Sequence, residues 1–229
     1  EMCIRDSCVM EGVKRSMLSR RALLGGALVA GAAAAMPGAF LRPALAQAQA
    51  QAGRVVDLTH TYDSNFPTFD GKPGITYEWA VKFEDSGYQL HKLTIFEHTG
   101  THIDAPLHFS ADGTSVDELE PRSLVAPLAI IDITDRAREE ANATVEAADI
   151  EAWISANGDL PAGAVVALRS GWAAKVGQAA FRNDEAGAFA FPGFAKSATD
   201  LLLEHDVAAI GVDTLSLDPG NSADFAVHN

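Results

Sequence analysis

The sequence predicts one α/β domain. Short apolar or alternating runs, 128–133 and 164–168 among them, have the length and composition of strands. Segments with helical spacing lie between them at 144–154 and 193–205, and strands interspersed with helices define the α/β class. Hydrophobic residues make up 48% and charged residues 21% of the 229 positions, the balance of a globular protein long enough to bury a sizeable core. The formal net charge of −14 argues against nucleic acid, whose phosphates require a basic face, and against anionic membrane surfaces.

The domain is expected over residues 54–229, behind a leader over 1–46 and a Gln/Ala linker over 47–53. Lys14, Arg15, Arg20 and Arg21 form a basic region ahead of the apolar run 22–35, and Ala44-Leu45-Ala46 offers small residues for cleavage. Ser19-Arg20-Arg21-Ala22-Leu23-Leu24 resembles a twin-arginine export signal, so the expected destination is the periplasm. The apolar run of about 14 residues is shorter than the roughly 20 a span needs, so no stable membrane insertion is expected after signal cleavage. Residues 1–9 fit no region of a signal peptide, which makes Met10 or Met17 the better start. Cys3 and Cys8 both lie in the leader, leaving the domain without disulfides or thiolate ligands.

Within the domain, 54–59 reads as the first strand and 60–74 as a polar loop carrying Tyr62, Phe66 and Phe69. A loop of that length in a compact domain is usually functional, and its aromatic residues are suited to line a pocket. Residues 75–83 and 88–97 alternate as neighbouring strands, with His91 an ordinary surface residue. Ala111-Asp112-Gly113 marks a turn, and 128–133 reads as a buried strand. The helix over 144–154 closes at Asn157-Gly158. A buried strand over 164–168 exits through Ser170-Gly171-Trp172. Phe194, Ala198, Leu201 and Leu202 give the helix over 193–205 an apolar face, and 208–212 is the next strand.

The chemistry concentrates in 97–109, E-H-T-G-T-H-I-D-A-P-L-H-F. His98, His102, Asp104 and His108 combine imidazole and carboxylate, a donor set for zinc or manganese. All four are even-numbered and share a face of an extended chain, but a straight strand would hold His98 and His102 about 13 Å apart. Two ligands of one ion need bonds of about 2 Å. The chain must therefore bend, and Gly100 is where it bends without Cβ strain. Gly100 and Pro106 also exclude a helix through the motif.

The stretch H-T-G-T-H-I-D-A-P-L-H-F resembles the signature of the cyclase family of metal-dependent hydrolases, which includes bacterial-type kynurenine formamidases and isatin hydrolases. The likeness continues through G-V-D-T-L-S-L-D-P-G at 211–220 to His228. It implies a swivelling β/β/α domain with a mostly β core. It also implies a two-metal site, with His98 and His102 on the first ion, Asp104 bridging both and His228 on the second. His108 would be the proton donor and acceptor, and Phe69, where kynurenine formamidases tend to carry Trp, would pack against a small-molecule substrate. The implied reaction is hydrolysis of a small amide, formamide or lactam in a homo-oligomer, a dimer or tetramer. The alternative is an exported binding protein without turnover, which would have no need of a spare base such as His108. The family also carries a glutamate shortly beyond the position of His228; the chain ends at Asn229, and the gene is expected to continue.

Overall fold

A computed structural model describes residues 56–61 and 63–229. Every element named here belongs to the compact unit 58–229. The expected leader, the linker and Tyr62 lie outside the described residues, within which no helix is long and apolar enough to cross a membrane.

The β-rich alternation of 75–97 forms a ribbon. Strand β1 (Ile75–Val81) pairs antiparallel with β2 (Leu90–Ile95), through the short helix α1 (Phe83–Ser86). Gly87, at φ 72, closes α1 in the left-handed region that favours glycine. Directly paired residues share a face, so Tyr77 beside Leu93 and Trp79 beside His91 make one face apolar, while Thr76, Glu78, Lys92 and Thr94 make the other polar. Ile75 at one end of this face is buried, whereas Tyr77, Trp79, Leu93 and Ile95 are each about half exposed, so most of the apolar face is uncovered among the described residues.

The second layer is a parallel sheet in the order β3–β5–β7, formed by Leu128–Asp132, Val165–Arg169 and Ala209–Gly211. Helices α2 (Thr134–Glu139), α3 (Ala147–Asn157) and α4 (Lys196–Glu204) follow strands in the α/β manner. One core joins Ala129 and Ile131 of β3, Val166 and Leu168 of β5, Ile150 of α3, and Ala198 and Leu202 of α4. Burying Ile150 completely contributes about 2 kcal/mol. A smaller aromatic core gathers Trp172, Phe181 and Phe191, with the Trp172 indole N–H donating to the Phe181 carbonyl at 2.9 Å.

Four expectations need correction. Residues 56–59 form no strand. The run 128–133 is buried on one face only, since Leu128 and Ile130 remain about half exposed. Helix α3 begins at Ala147 because Thr144–Val145 is strand β4, paired in parallel with β6 (Gly193–Phe194). Helix α4 accordingly begins at Lys196; the ring of Phe194 reaches the core from a strand, and its spacing from Ala198 only mimics a helix.

The sheet positions the site through its strand exits. The Asp213 carboxylate, just beyond β7, accepts from the Ser170 hydroxyl at 2.6 Å and from the backbone N–H groups of Ser170 and Trp172 at 3.1 and 3.0 Å, just beyond β5. Ligand sites of open parallel sheets lie at these carboxyl ends.

Candidate metal centre

Strand β2 ends at Ile95, and the chain bends over 97–101 with Gly100 at φ 70, the turn that the histidine spacing requires. The Phe96 N–H donates to the Gly74 carbonyl at 2.9 Å, which fixes the exit from the ribbon. A Cβ at Gly74 would strike the buried Thr99 hydroxyl, so only glycine lets the loop close here. The Thr101 hydroxyl accepts from the His60 N–H at 3.0 Å. His108 ends a single turn of 3-10 helix, Pro106–His108, in which proline fills a position whose N–H would be unsatisfied. The turn 110–114 lies flat against it: a Cβ on Gly113 would be 2.5 Å from the Pro106 carbonyl carbon.

Asp104 is the hub. Its Oδ1 meets His98 Nδ1 at 2.7 Å and His102 Nε2 at 3.2 Å, and its Oδ2 faces His228 Nε2 at 4.0 Å. The His108 ring stacks on His98 with centroids 3.9 Å apart and stands 5.9 Å from His228. Donor atoms of His98, Asp104 and His108 lie within 4.8 Å of one another. The structure thus brings all five of the histidine and aspartate residues singled out by the sequence to one point. Asp104 is half-buried and His108 exposed.

The donor arrangement fits a cation. The His102 Nδ1–H donates to the Gly100 carbonyl at 2.8 Å, which leaves Nε2 facing a carboxylate oxygen. Two acceptors at that range require a positive charge between them, a proton or a metal ion. Without metal a proton serves: hydrogen bonding to Asp104 raises the His102 pKa, and the same bond, aided by His98, holds the Asp104 carboxyl down to about 2. Metal binding there would release that proton. Partial burial, together with the neighbouring His98 and His228, holds His108 below the usual histidine range, keeping it a neutral base at pH 7.

The other half of the site is more deeply buried. The Asp218 carboxylate, 2% exposed, accepts from His228 Nδ1 at 2.5 Å, from the Val227 N–H at 2.9 Å and from the Ser222 hydroxyl at 3.3 Å. Holding Nδ1–H in this way turns the His228 Nε2 lone pair towards Asp104, the usual carboxylate support of a metal-bound histidine. The Asp218 backbone is seated between close main-chain contacts. A Cβ on Gly193 would be 2.5 Å from the Asp218 carbonyl carbon, and one on Gly220 would be 2.7 Å from the Ala190 nitrogen. Sequence reasoning noted Asp218 only as part of a motif; the D-P-G glycine beside a buried aspartate was the available signal.

Phe69 lies at the rim, 38% exposed, with its ring 4.5 Å from that of Phe189 and 6.0 Å from that of Phe225. The Arg182 guanidinium donates twice to the Phe69 carbonyl, at 3.0 and 2.8 Å. Phe109 and Phe225 had no assigned role from sequence, yet their rings lie 4.6 and 5.8 Å from that of His228. His91 is remote from this cluster in sheet position and stacks on Trp79 at 3.8 Å.

Residues 56–219 match the Cyclase family ("Putative cyclase"), and the chain belongs to that family. A kynurenine formamidase of Bacillus cereus is 40% identical over 81 residues, which span 35% of this chain and 39% of that protein. An isatin hydrolase of Roseibium aggregatum is 28% identical over 195 residues, 76% of this chain and 73% of that one. Among solved structures, isatin hydrolase A from Ralstonia solanacearum superposes with a TM-score of 0.71 at 34% identity, covering 86% of this chain and 81% of its own. An isatin hydrolase bound to the product analogue thioisatinate superposes with a TM-score of 0.70 at 27% identity, covering 85% and 81%. The mixed α/β fold is that of these neighbours.

Proposed function

We propose that this chain is a metal-dependent hydrolase that cleaves the C–N bond of a small amide, formamide or lactam. The observation that carries the reading is the convergence of His98, His102 and His228 on the two oxygens of Asp104, with His108 stacked on His98 beside them. The kynurenine formamidase and isatin hydrolase relatives support the same reaction class. His98, His102 and Asp104 would hold a first zinc or manganese ion, and Asp104 with His228 a second. Such ions supply Lewis acidity, lowering the pKa of a water and polarising the scissile carbonyl. His108, neutral at pH 7 and next to the donors, takes the proton of the attacking water and returns it to the departing nitrogen. The phenyl rim binds the substrate's flat face. Two features of the chain's setting are also proposed: export by the twin-arginine route, from the Arg20-Arg21 leader, and a homo-oligomer joined through the apolar face of the β1–β2 ribbon.

Metal analysis of the purified full chain, followed by assays on an aryl formamide and a lactam, tests the reaction. Bound metal with metal-dependent release of the amine supports it; bound metal without turnover on any such substrate would leave a binding protein. Light scattering and a signal-peptide reporter fusion test the other two.

A further inference from the structure

The loop 60–74 is rooted in the first half of the site. At one end the His60 N–H donates at 3.0 Å to Thr101, which lies between His98 and His102. At the other end the Gly74 carbonyl accepts from the Phe96 N–H, and Gly74 packs on Thr99. The apex of the loop is held from elsewhere. Arg182, 113 positions beyond Phe69, donates through Nε and Nη2 to the Phe69 carbonyl at 3.0 and 2.8 Å. Its Nη1 donates to the Asn183 side chain at 3.2 Å, its guanidinium lies over the Phe189 ring at 4.6 Å, and a Cβ on Gly71 would touch its Cζ at 3.5 Å. Asp70 and Gly71 are exposed, so burial holds the apex weakly and hydrogen bonds must do so instead. Arg182 is itself set in the second half. Phe181 before it is buried in the aromatic core, and the Ala190 N–H donates to the Arg182 carbonyl at 3.1 Å, which closes a hairpin onto the buried Phe191. The Phe191 carbonyl accepts at 2.9 Å from the N–H of Gly220, in the same D-P-G segment as Asp218, the partner of His228. One guanidinium thus joins a loop rooted beside His98 and His102 to the frame behind His228.

We propose that Arg182 is a positioning residue: it locks the loop 60–74 to the frame behind His228 and so holds that side of the site in place for substrate binding. Its kinetic consequence rests on the hydrolase reading, and the experiment separates the two. The full chain with added zinc, as wild type and as Arg182→Ala, is followed by hydrogen exchange with mass spectrometry and assayed on formanilide and on the lactam isatin. Exchange across 60–74 should quicken about ten-fold in the variant, the scale of lost hydrogen bonds from a charged donor, while β3, β5 and α4 exchange as in the wild type. KM for the hydrolysed substrate should rise about ten-fold with kcat nearly unchanged. A merely structural loss would instead reduce the folded fraction, lowering kcat and leaving KM alone. Millimolar methylguanidinium, which fits the space that alanine vacates, should restore both readouts, and equal sodium chloride should not. Arg182→Lys keeps a long stem without the planar fork, so it should match alanine in loop exchange and KM, and it decides the case if the alanine variant does not fold. If the wild type hydrolyses neither substrate, the hydrolase reading fails, and exchange with methylguanidinium rescue alone decides on Arg182. Unchanged exchange across 60–74, faster exchange over the whole chain, an unchanged KM in an active enzyme, methylguanidinium without effect, or a lysine variant that behaves as wild type each overturns the proposal.

Discussion

Replacing Asp218 with asparagine tests the buried half of the site. The carboxylate accepts from the His228 imidazole, the Val227 N–H and the Ser222 hydroxyl. Asparagine has the same shape but one of its two heteroatoms is a donor. If the amide nitrogen faces His228, the imidazole must move its proton to Nε2, which then points a hydrogen rather than a lone pair at Asp104. If the amide flips, the Val227 N–H meets a donor instead. The first orientation leaves the His228 backbone N–H, 3.3 Å from the same oxygen, without its acceptor, and the second does so for the Val227 N–H, at a cost of about 1–3 kcal/mol either way. Loss of a carboxylate behind a metal-binding histidine lowers metal affinity about 10- to 100-fold. At about 1.4 kcal/mol per tenfold, that is 1.4–2.8 kcal/mol, the same scale as the orphaned donor. Competition of zinc against a chromophoric chelator measures the affinity, and urea denaturation with EDTA present measures the metal-free stability. Wild-type zinc affinity together with wild-type metal-free stability in Asp218→Asn would refute the claim that the Asp218 carboxylate holds the His228 tautomer and the Val227 N–H at once.

His108→Asn should keep the metal while lowering turnover by about 10² to 10⁴, the usual range for a general acid–base; loss of metal would make His108 a ligand. Asp104→Ala should lose at least one metal equivalent, and its melting temperature should no longer rise when zinc is added, because stabilisation by a ligand requires a site to bind. Arg136 pairs with Asp149 at 2.6 Å and donates to the Thr144 carbonyl at 2.7 Å, lowering the Asp149 pKa. A depressed carboxyl contributes stability that is present above its unfolded pKa, near 3.9, and lost as pH falls through the lower folded value. Arg136→Ala should therefore destabilise the fold by about 1 kcal/mol at pH 7, by urea denaturation, and by progressively less as the buffer is taken below pH 4. A loss that stays constant down to pH 2 would assign the effect to the Thr144 contact instead.

The first half of the site was legible because it is local. His98, His102, Asp104 and His108 fall within eleven residues, and their spacing alone demands the bend found at Gly100. The α/β class followed from β3, α3, β5 and α4, whose apolar patterns are long enough to decide. Boundaries failed where a strand residue and a helix residue serve the same core. Val145 and Phe194 are both fully buried, and pairing between two-residue strands leaves no periodic trace. The phenyl rim was illegible for another reason. Phe69, Phe109 and Phe225 are brought together by tertiary structure over 156 positions of chain, and nothing in the neighbourhood of Phe225 announces its left-handed backbone.

The close approaches at Gly113, Gly193 and Gly220 divide the site's future as well as its parts. Where main chain touches main chain, the smallest heritable change, a single methyl group, already forces the neighbouring segment to move. These positions therefore have almost no room to drift. The Phe69 and Phe109 rings at the rim carry no such restriction: they partly face solvent and can be exchanged one at a time without disturbing the frame behind them. A library that varies residues 69 and 109 while leaving the three glycines alone would sample new substrates on an intact reaction centre. One that does the reverse would mostly sample misfolded chains.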